Sequence, residues 1–277
     1  MKEQFRKMTY PYVLWISIMV LLPMLLIVLY AFTTYGNETL TLRFTLQNFR
    51  AFLTDTTFLQ VLWRSLVIAA VTTLLCILLG YPMAYLIAQL GDTGNIIVIL
   101  LITMPTWINM LVHTYAWMGM LQDGGLINQV LSFVGIGPLK LIHTTTAVII
   151  GMVYNFIPFM ILQIHSSLAS MDKDILNAAA DLGANEVQRF LRIILPLSIP
   201  GVLSGVMLVF LPAVSSFFIP RFLGGGQYVL IGNIIETQFL TAGDWNIGSA
   251  ISLIMVVLIM VSIQMTKRIN QNERSQG

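Results

Sequence analysis

An all-helical membrane protein with about six transmembrane helices is the fold class this sequence predicts. Three observations carry that reading: the chain is apolar, it is poor in charge, and its apolar runs have the length of a bilayer. Of the 277 residues, 57% are hydrophobic and only 9% charged, with a mean hydropathy of +0.85. A soluble domain carries roughly a quarter charged residues, so this chain lacks the polar surface to cover itself in water. A helix rises about 1.5 Å per residue, and about 20 apolar residues cross the hydrocarbon. Six segments meet that length: Tyr12–Phe32, Leu66–Ile87, Ile96–Trp117, Thr144–Leu162, Ile199–Phe218 and Ile247–Met265. Pro23, Pro82, Pro105, Pro158 and Pro212 lie inside them. Membrane helices tolerate proline because neighbouring groups satisfy the freed carbonyls, so these read as kinks rather than ends.

The first span follows Lys2, Arg6 and Lys7. Its apolar run is too long for a signal peptide's core, and no small-residue cleavage site closes it. It reads as a retained helix that starts in the cytoplasm. Six spans place both termini on one side, and Lys/Arg bias selects the side. With the amino terminus inside, the inner set is Lys2, Arg6, Lys7, Lys173, Arg189, Arg192, Lys267, Arg268 and Arg274, against Arg43, Arg50, Arg64, Lys140 and Arg221 outside. Nine against five favours both termini being cytoplasmic. A net charge of +2 is too small to suggest nucleic acid. Cys76 is the sole cysteine, which excludes an intrachain disulfide; within an apolar run it reads as a buried, inert thiol.

The segments between spans are short. Asp123-Gly124-Gly125 makes a turn, after which Leu126, Ile127, Val130, Leu131 and Val134 fall on one helical face. Gly135, Gly137 and Pro138 end that stretch, which reads as a short amphipathic helix on the outer surface. No internal repeat or low-complexity linker divides the chain, so residues 1–277 read as one transmembrane domain with a core at about 61–265.

The longest inner loop spans about 165–198. Asp172 can cap a helix over Lys173–Leu182, and Gly183 supplies the left-handed residue that ends it. Asn185 followed by Gln188 resembles a capping box that opens a second helix. Pro196 and Pro200 are expected to break that helix as the chain re-enters the membrane. Ile175, Leu176, Ala179 and Leu182 make an apolar face, and Ala178, Ala179 and Ala180 leave little side-chain bulk. Two readings stand for this face: it docks into a groove on another protein, or it packs back under the membrane bundle.

The run NAAADLGANEVQRFLRIILP resembles the EAA loop of ABC importer permeases. Asn177-Ala178-Ala179, Gly183, Ile193, Leu195 and Pro196 stand at the spacings of that pattern, with Asn177 where the family usually has Glu. Gly80–Tyr85 (GYPMAY), Val153–Phe159 (VYNFIPF), Leu230–Asn233 (LIGN) and Asp244–Gly248 (DWNIG) are similar to the spermidine/putrescine permease family. The likeness covers the chain from about Arg64 to Met265. It implies the type I ABC importer permease fold in a bacterial cell membrane, with the 170–196 loop as the coupling segment. It also implies a dimer of ATP-binding subunits, a second permease subunit and an external or periplasmic solute-binding protein as partners. No G-x-x-x-x-G-K-[ST] occurs in the chain, so ATP and Mg are expected on the partner ATPase and no cofactor on this chain. The chain is not expected to be an enzyme. No H-E-x-x-H occurs, and His113, His143 and His165 are far apart in sequence, so no metal site is expected.

Polyamines are flexible polycations. A path for them calls for carboxylates at its entrance and weakly attracting aromatic or polar walls inside, each aromatic face contributing about 0.5–2 kcal/mol. Asn109, His113 and Trp117 fall four residues apart on one face of the third span, and Tyr154 and Asn155 lie mid-span in the fourth. These residues either line a path or join helices by hydrogen bonds, and Trp117 also suits an interfacial belt. Glu236 and Asp244 suit the entrance, or a contact to the binding protein. An ABC permease for another small solute is the nearest alternative. An ion-coupled secondary transporter is less well supported, because the spans hold almost no ionisable residue besides His113.

Overall fold

The computed structural model describes residues 2–34 and 43–274. In chain order the helices are α1 (Lys2–Ala31), α2 (Gln47–Thr54), α3 (Thr56–Ala88), α4 (Asp92–Thr103), α5 (Met110–Leu121), α6 (Leu126–Phe133), α7 (Thr145–Ala169), α8 (Lys173–Asp181), α9 (Glu186–Arg189), α10 (Leu195–Ser215), α11 (Phe218–Leu223), α12 (Ile231–Thr237) and α13 (Trp245–Arg274). The described residues contain no strand beyond an isolated bridge between Thr33 and Phe44. Among the described residues five helical stretches are long and apolar enough to cross a membrane: Thr9–Ala31, Thr56–Ala88, Thr145–Ala169, Glu186–Ser215 and Trp245–Gln264. The bent pair Asp92–Trp107 and Met110–Phe133 makes a sixth when counted as one span. In the expected inner basic set, the side chains of Lys2, Arg6, Lys7, Lys173, Lys267, Arg268 and Arg274 lie outside the described residues.

That bent pair corrects the expectation of one kinked helix over Ile96–Trp117. The two arms meet at 93°. Pro105 lacks an amide hydrogen, and its ring disfavours a continuing α-helix. The chain tightens into a 3-10 turn over Met104–Trp107 and then extends at Ile108. Asn109 restarts the helix by accepting the Leu111 N–H on its side-chain oxygen at 2.8 Å. Pro23, Pro82, Pro158 and Pro212 do lie inside helices.

Pro196 and Pro200 bring a second correction. They do not break the helix that Asn185 opens, which continues as a single stretch to Ser215. Between α9 and α10 the residues Phe190–Ile194 form a π turn, in which the Leu195 N–H reaches the Phe190 carbonyl five residues back. Such a turn is wider than an α turn. Pro196 follows it at the start of α10, where a missing amide hydrogen costs least.

The contacts divide the chain into two compact units: Met1–Gln60 with Ile234–Val261, and Val61–Asn233 with Ser262–Gly277. In the first, two buried asparagines satisfy the carbonyls at the end of α1, which a helix terminus leaves open. Asn48 Nδ2 donates to the carbonyls of Ala31 and Thr33 at 3.0 and 2.9 Å. Asn246 Nδ2 donates to those of Tyr30 and Thr33 at 2.9 and 2.8 Å.

The second unit centres on α7, which packs along α10. Small residues sit in the contacts, as helix association in lipid favours. Gly201 and Gly205 of α10 lie against Ser167 and Met160 of α7, and Gly80 of α3 also meets Met160. Cys76 is buried, its thiol 3.9 Å from the Val153 carbonyl. The motif Leu230–Asn233 has a packing reason as well. Ser65 accepts the Ile231 N–H at 2.8 Å, Asn233 Nδ2 donates to the Phe217 carbonyl at 2.8 Å, and a Cβ on Gly232 would stand 2.3 Å from the Ser215 carbonyl oxygen.

Candidate functional site

Two arrangements in the second unit concern function. The first is the segment between α7 and α10. Asp172 accepts the Asp174 N–H at 2.9 Å and caps α8. Gly183 has φ +85°, a left-handed conformation that glycine adopts without steric cost. The Asn185 side chain accepts the Gln188 N–H at 2.8 Å, and the Gln188 side chain accepts the Asn185 N–H at 3.0 Å. Two short helices therefore meet at a glycine, each with its first turn satisfied.

The exposed surface of this pair mixes large apolar side chains with polar ones, Asp174, Asp181 and Glu186 among the latter. Leu182 is 89% exposed, Val187 65% and Ile175 46%. Asn177 and Ala178 are exposed beside them, while Leu176 and Ala179 are half-buried. The apolar face is thus divided. Leu176 turns inward to a cavity that Tyr85, Asp92, Asn95, Leu168 and Ile194 also line, and Ile175 and Leu182 stay outside. Ile193, Leu195 and Pro196 do not join the exposed pair. They lie in the π turn and the first turn of α10, so the sequence pattern spans two places with different surroundings.

The second arrangement lies where α5 meets α7. His113 Nε2 stands 2.8 Å from the Pro105 carbonyl. A carbonyl only accepts, so Nε2 carries the hydrogen. In the neutral ring Nδ1 then accepts, and the Tyr154 hydroxyl at 3.2 Å donates to it. The Tyr154 ring is 5.5 Å from His113 and 5.2 Å edge-on to Trp117. These residues, with Thr114, Gly151 and Asn155, enclose about 10 Å³ measured for the centre of a water-sized sphere, room for about one water molecule. No lining residue carries a fixed charge. His113 and Trp117 of α5 are therefore brought together with Tyr154 and Asn155 of α7.

Asn109 is not part of that cluster; it is the exposed cap of α5. Glu236 and Asp244 belong to the first unit, whereas the aromatic cluster belongs to the second. Asp244 caps α13 by accepting the Ile247 N–H at 3.0 Å, and Glu236 is half-buried on α12. The sequence reading missed the role of the Pro105 carbonyl as the anchor of His113. The signal was present in Pro105 and Asn109, four residues apart, where a proline stop precedes a residue that caps well. Among the described residues no group of three His, Cys, Asp or Glu side chains is placed to hold a metal.

Residues 76–275 match the family described as the binding-protein-dependent transport system inner membrane component. The spermidine/putrescine transport system permease protein PotB of Haemophilus influenzae is 36% identical, over 97% of this chain and 95% of that protein. Its namesake from Escherichia coli K12 is 38% identical, over 88% of this chain and 90% of that protein. A chain of a bacterial alginate ABC transporter, solved in complex with an alginate pentasaccharide-bound periplasmic protein, superposes with a TM-score of 0.80 at 16% identity, covering 97% of this chain and 94% of that one. At that identity the superposition speaks for the fold, which is the type I ABC importer permease fold. The apolar spans, the exposed helix–glycine–helix segment and the family match agree, and the chain belongs to the binding-protein-dependent transport system inner membrane components as a multi-pass inner membrane protein.

Proposed function

We propose that this chain is the membrane-spanning permease subunit of an ATP-driven importer of polyamines, spermidine or putrescine. It docks a separate ATPase through residues 170–196. The observation that carries the coupling role is the exposed pair α8 and α9, hinged at Gly183 and apolar at Leu182 and Val187. Large exposed apolar side chains outside a lipid-facing span mark a surface for a partner. ATP and Mg are bound and hydrolysed by that partner, which works as a dimer. A second permease subunit completes the path, a periplasmic or external binding protein delivers the solute, and both termini lie in the cytoplasm.

The solute assignment rests on the relatives at 36–38% identity, which are spermidine/putrescine transport system permease proteins. The aromatic cluster is compatible with it. Trp117 and Tyr154 offer faces that attract an ammonium group weakly, and the absence of a carboxylate there avoids a trap. The enclosed space is too small for a solute, so passage requires the α5 and α7 rings to part. The test is uptake of labelled spermidine by cells that depend on this permease and its partners, with unlabelled solutes in competition. Competition by putrescine and spermidine, and none by sugars or amino acids, is the expected result. Competition by another solute class alone would assign a different cargo to the same machinery.

A further inference from the structure

We infer that Phe190, packed edge-on against Tyr81 and Tyr85, is a positioning residue that transmits movement of the coupling segment into the membrane spans. The inference rests on reading residues 170–196 as the ATPase contact, and it names the joint through which that contact acts.

The joint sits where the exposed segment becomes a span. Phe190 is the first residue of the π turn. Its ring stands edge-on to Tyr81 at 5.9 Å and to Tyr85 at 5.3 Å. The two tyrosines are four residues apart on α3, so they project from one face, one turn apart. One ring thus touches two side chains of the same α3 face. The second attachment lies beyond the π turn. Tyr81 Oη and Ser198 Oγ are 2.7 Å apart, and Ser198 Oγ also stands 2.9 Å from the Leu195 carbonyl. That carbonyl can only accept, so the serine hydrogen goes to it, and the Tyr81 hydroxyl donates to the serine. Tyr81 and Ser198 are both buried.

Tyr81 therefore holds the chain on both sides of the π turn, at Phe190 before it and at Ser198 after it. The turn between carries one residue more than an α-helical turn needs, and such turns occur often at functional sites. It is the place where the rigid leg that begins at the Asn185 capping box can change register against α10. Movement of that leg displaces Phe190, and α3 is carried with it because the ring packs against two of its side chains. The Tyr81–Ser198 bond keeps α3 and α10 moving together. Without the ring, the leg moves and the spans do not.

The test uses the complete transporter, with ATPase, partner permease and binding protein, reconstituted in proteoliposomes. It reads labelled spermidine taken up per ATP hydrolysed. Phe190→Leu keeps an apolar side chain and removes the ring contacts. It is expected to assemble with the ATPase in normal amount, to keep hydrolysing ATP, and to lower uptake per ATP at least about five-fold, the factor two edge-on ring contacts support. Phe190→Tyr is expected to restore the ratio, which a role in bulk packing alone does not require. Tyr81→Phe and Ser198→Ala test the second attachment with little change in side-chain volume. Each is expected to lower the ratio about two- to five-fold, and the double variant to be no worse than either single, because both remove the same bond. An unchanged ratio in Phe190→Leu, or a Phe190→Tyr variant no better than Phe190→Leu, overturns the inference. If the relay fails while Gly183→Val still detaches the ATPase, the coupling reading stands alone. If Gly183→Val leaves assembly intact, the coupling reading itself has failed.

Discussion

At the residue scale, the tautomer of His113 decides what the aromatic cluster is. With Nε2 donating to the Pro105 carbonyl and Nδ1 facing the Tyr154 hydroxyl, the ring ties the corner of the broken span to α7. Tyr154 has two separable roles there. Its hydroxyl contributes a hydrogen bond worth about 1 kcal/mol, and its ring faces Trp117. Tyr154→Phe is therefore expected to lower uptake about five-fold or less, and Tyr154→Leu to lower it further, at unchanged membrane content. A Tyr154→Leu variant whose membrane content falls in step with uptake would make the ring a packing group instead. Asn177 gives a second test at this scale. It is exposed on α8, and exposed substitutions usually shift stability by no more than about 0.5 kcal/mol. Asn177→Glu is expected to bind the ATPase within about two-fold of wild type in a pull-down. Loss of binding would mean that the partner groove excludes a carboxylate at this position.

At the element scale, the capped helix pair was the most legible part of the chain. Asp172, Gly183, Asn185 and Gln188 act through atoms within three residues of themselves, so local pattern was enough to place them. The two errors, at Pro105 and at Pro196–Pro200, have one cause. A proline states that an amide hydrogen is missing, and whether the helix stops depends on what the next turns offer. After Pro105 an asparagine offered a new start; before Pro196 a π turn offered room. Neither choice is visible in hydropathy. The meeting of His113 with Tyr154, and of Phe190 with Tyr81, was equally out of reach, since those partners are 41 residues apart or more. Gly232 tests the packing at this scale. A methyl there meets the Ser215 carbonyl oxygen at 2.3 Å, and forced overpacking costs about 1–3 kcal/mol. Gly232→Ala is expected to lower the midpoint of thermal unfolding in detergent by several degrees. An unchanged midpoint would show that the connection after α11 yields at little cost.

At the scale of the whole molecule, charge is scarce and its few positions carry weight. Glu236 and Asp244 are proposed to draw a polycation toward the membrane. Both are half-buried, and the part of their field that passes through solvent acts over a Debye length of about 10 Å at 0.1 M salt and about 3 Å at 1 M. Glu236→Gln with Asp244→Asn is expected to weaken spermidine uptake a few-fold at low salt and much less at high salt. The effect of Tyr154→Leu should be nearly independent of salt, because its contact is partly buried. Equal uptake by the paired carboxylate variant and wild type at both salts would remove entrance steering from the account.

The central claim is that an exposed, glycine-hinged helix pair joins this permease to its ATPase. Gly183 holds φ +85°, and a β-branched residue forced into that region costs about 1–2 kcal/mol or more. The most direct measurement is co-purification of the ATPase with Gly183→Val, alongside spermidine uptake at matched membrane content. The account predicts that both fall about ten-fold while the permease still inserts. A Gly183→Val permease that retains its ATPase and transports like wild type would contradict it.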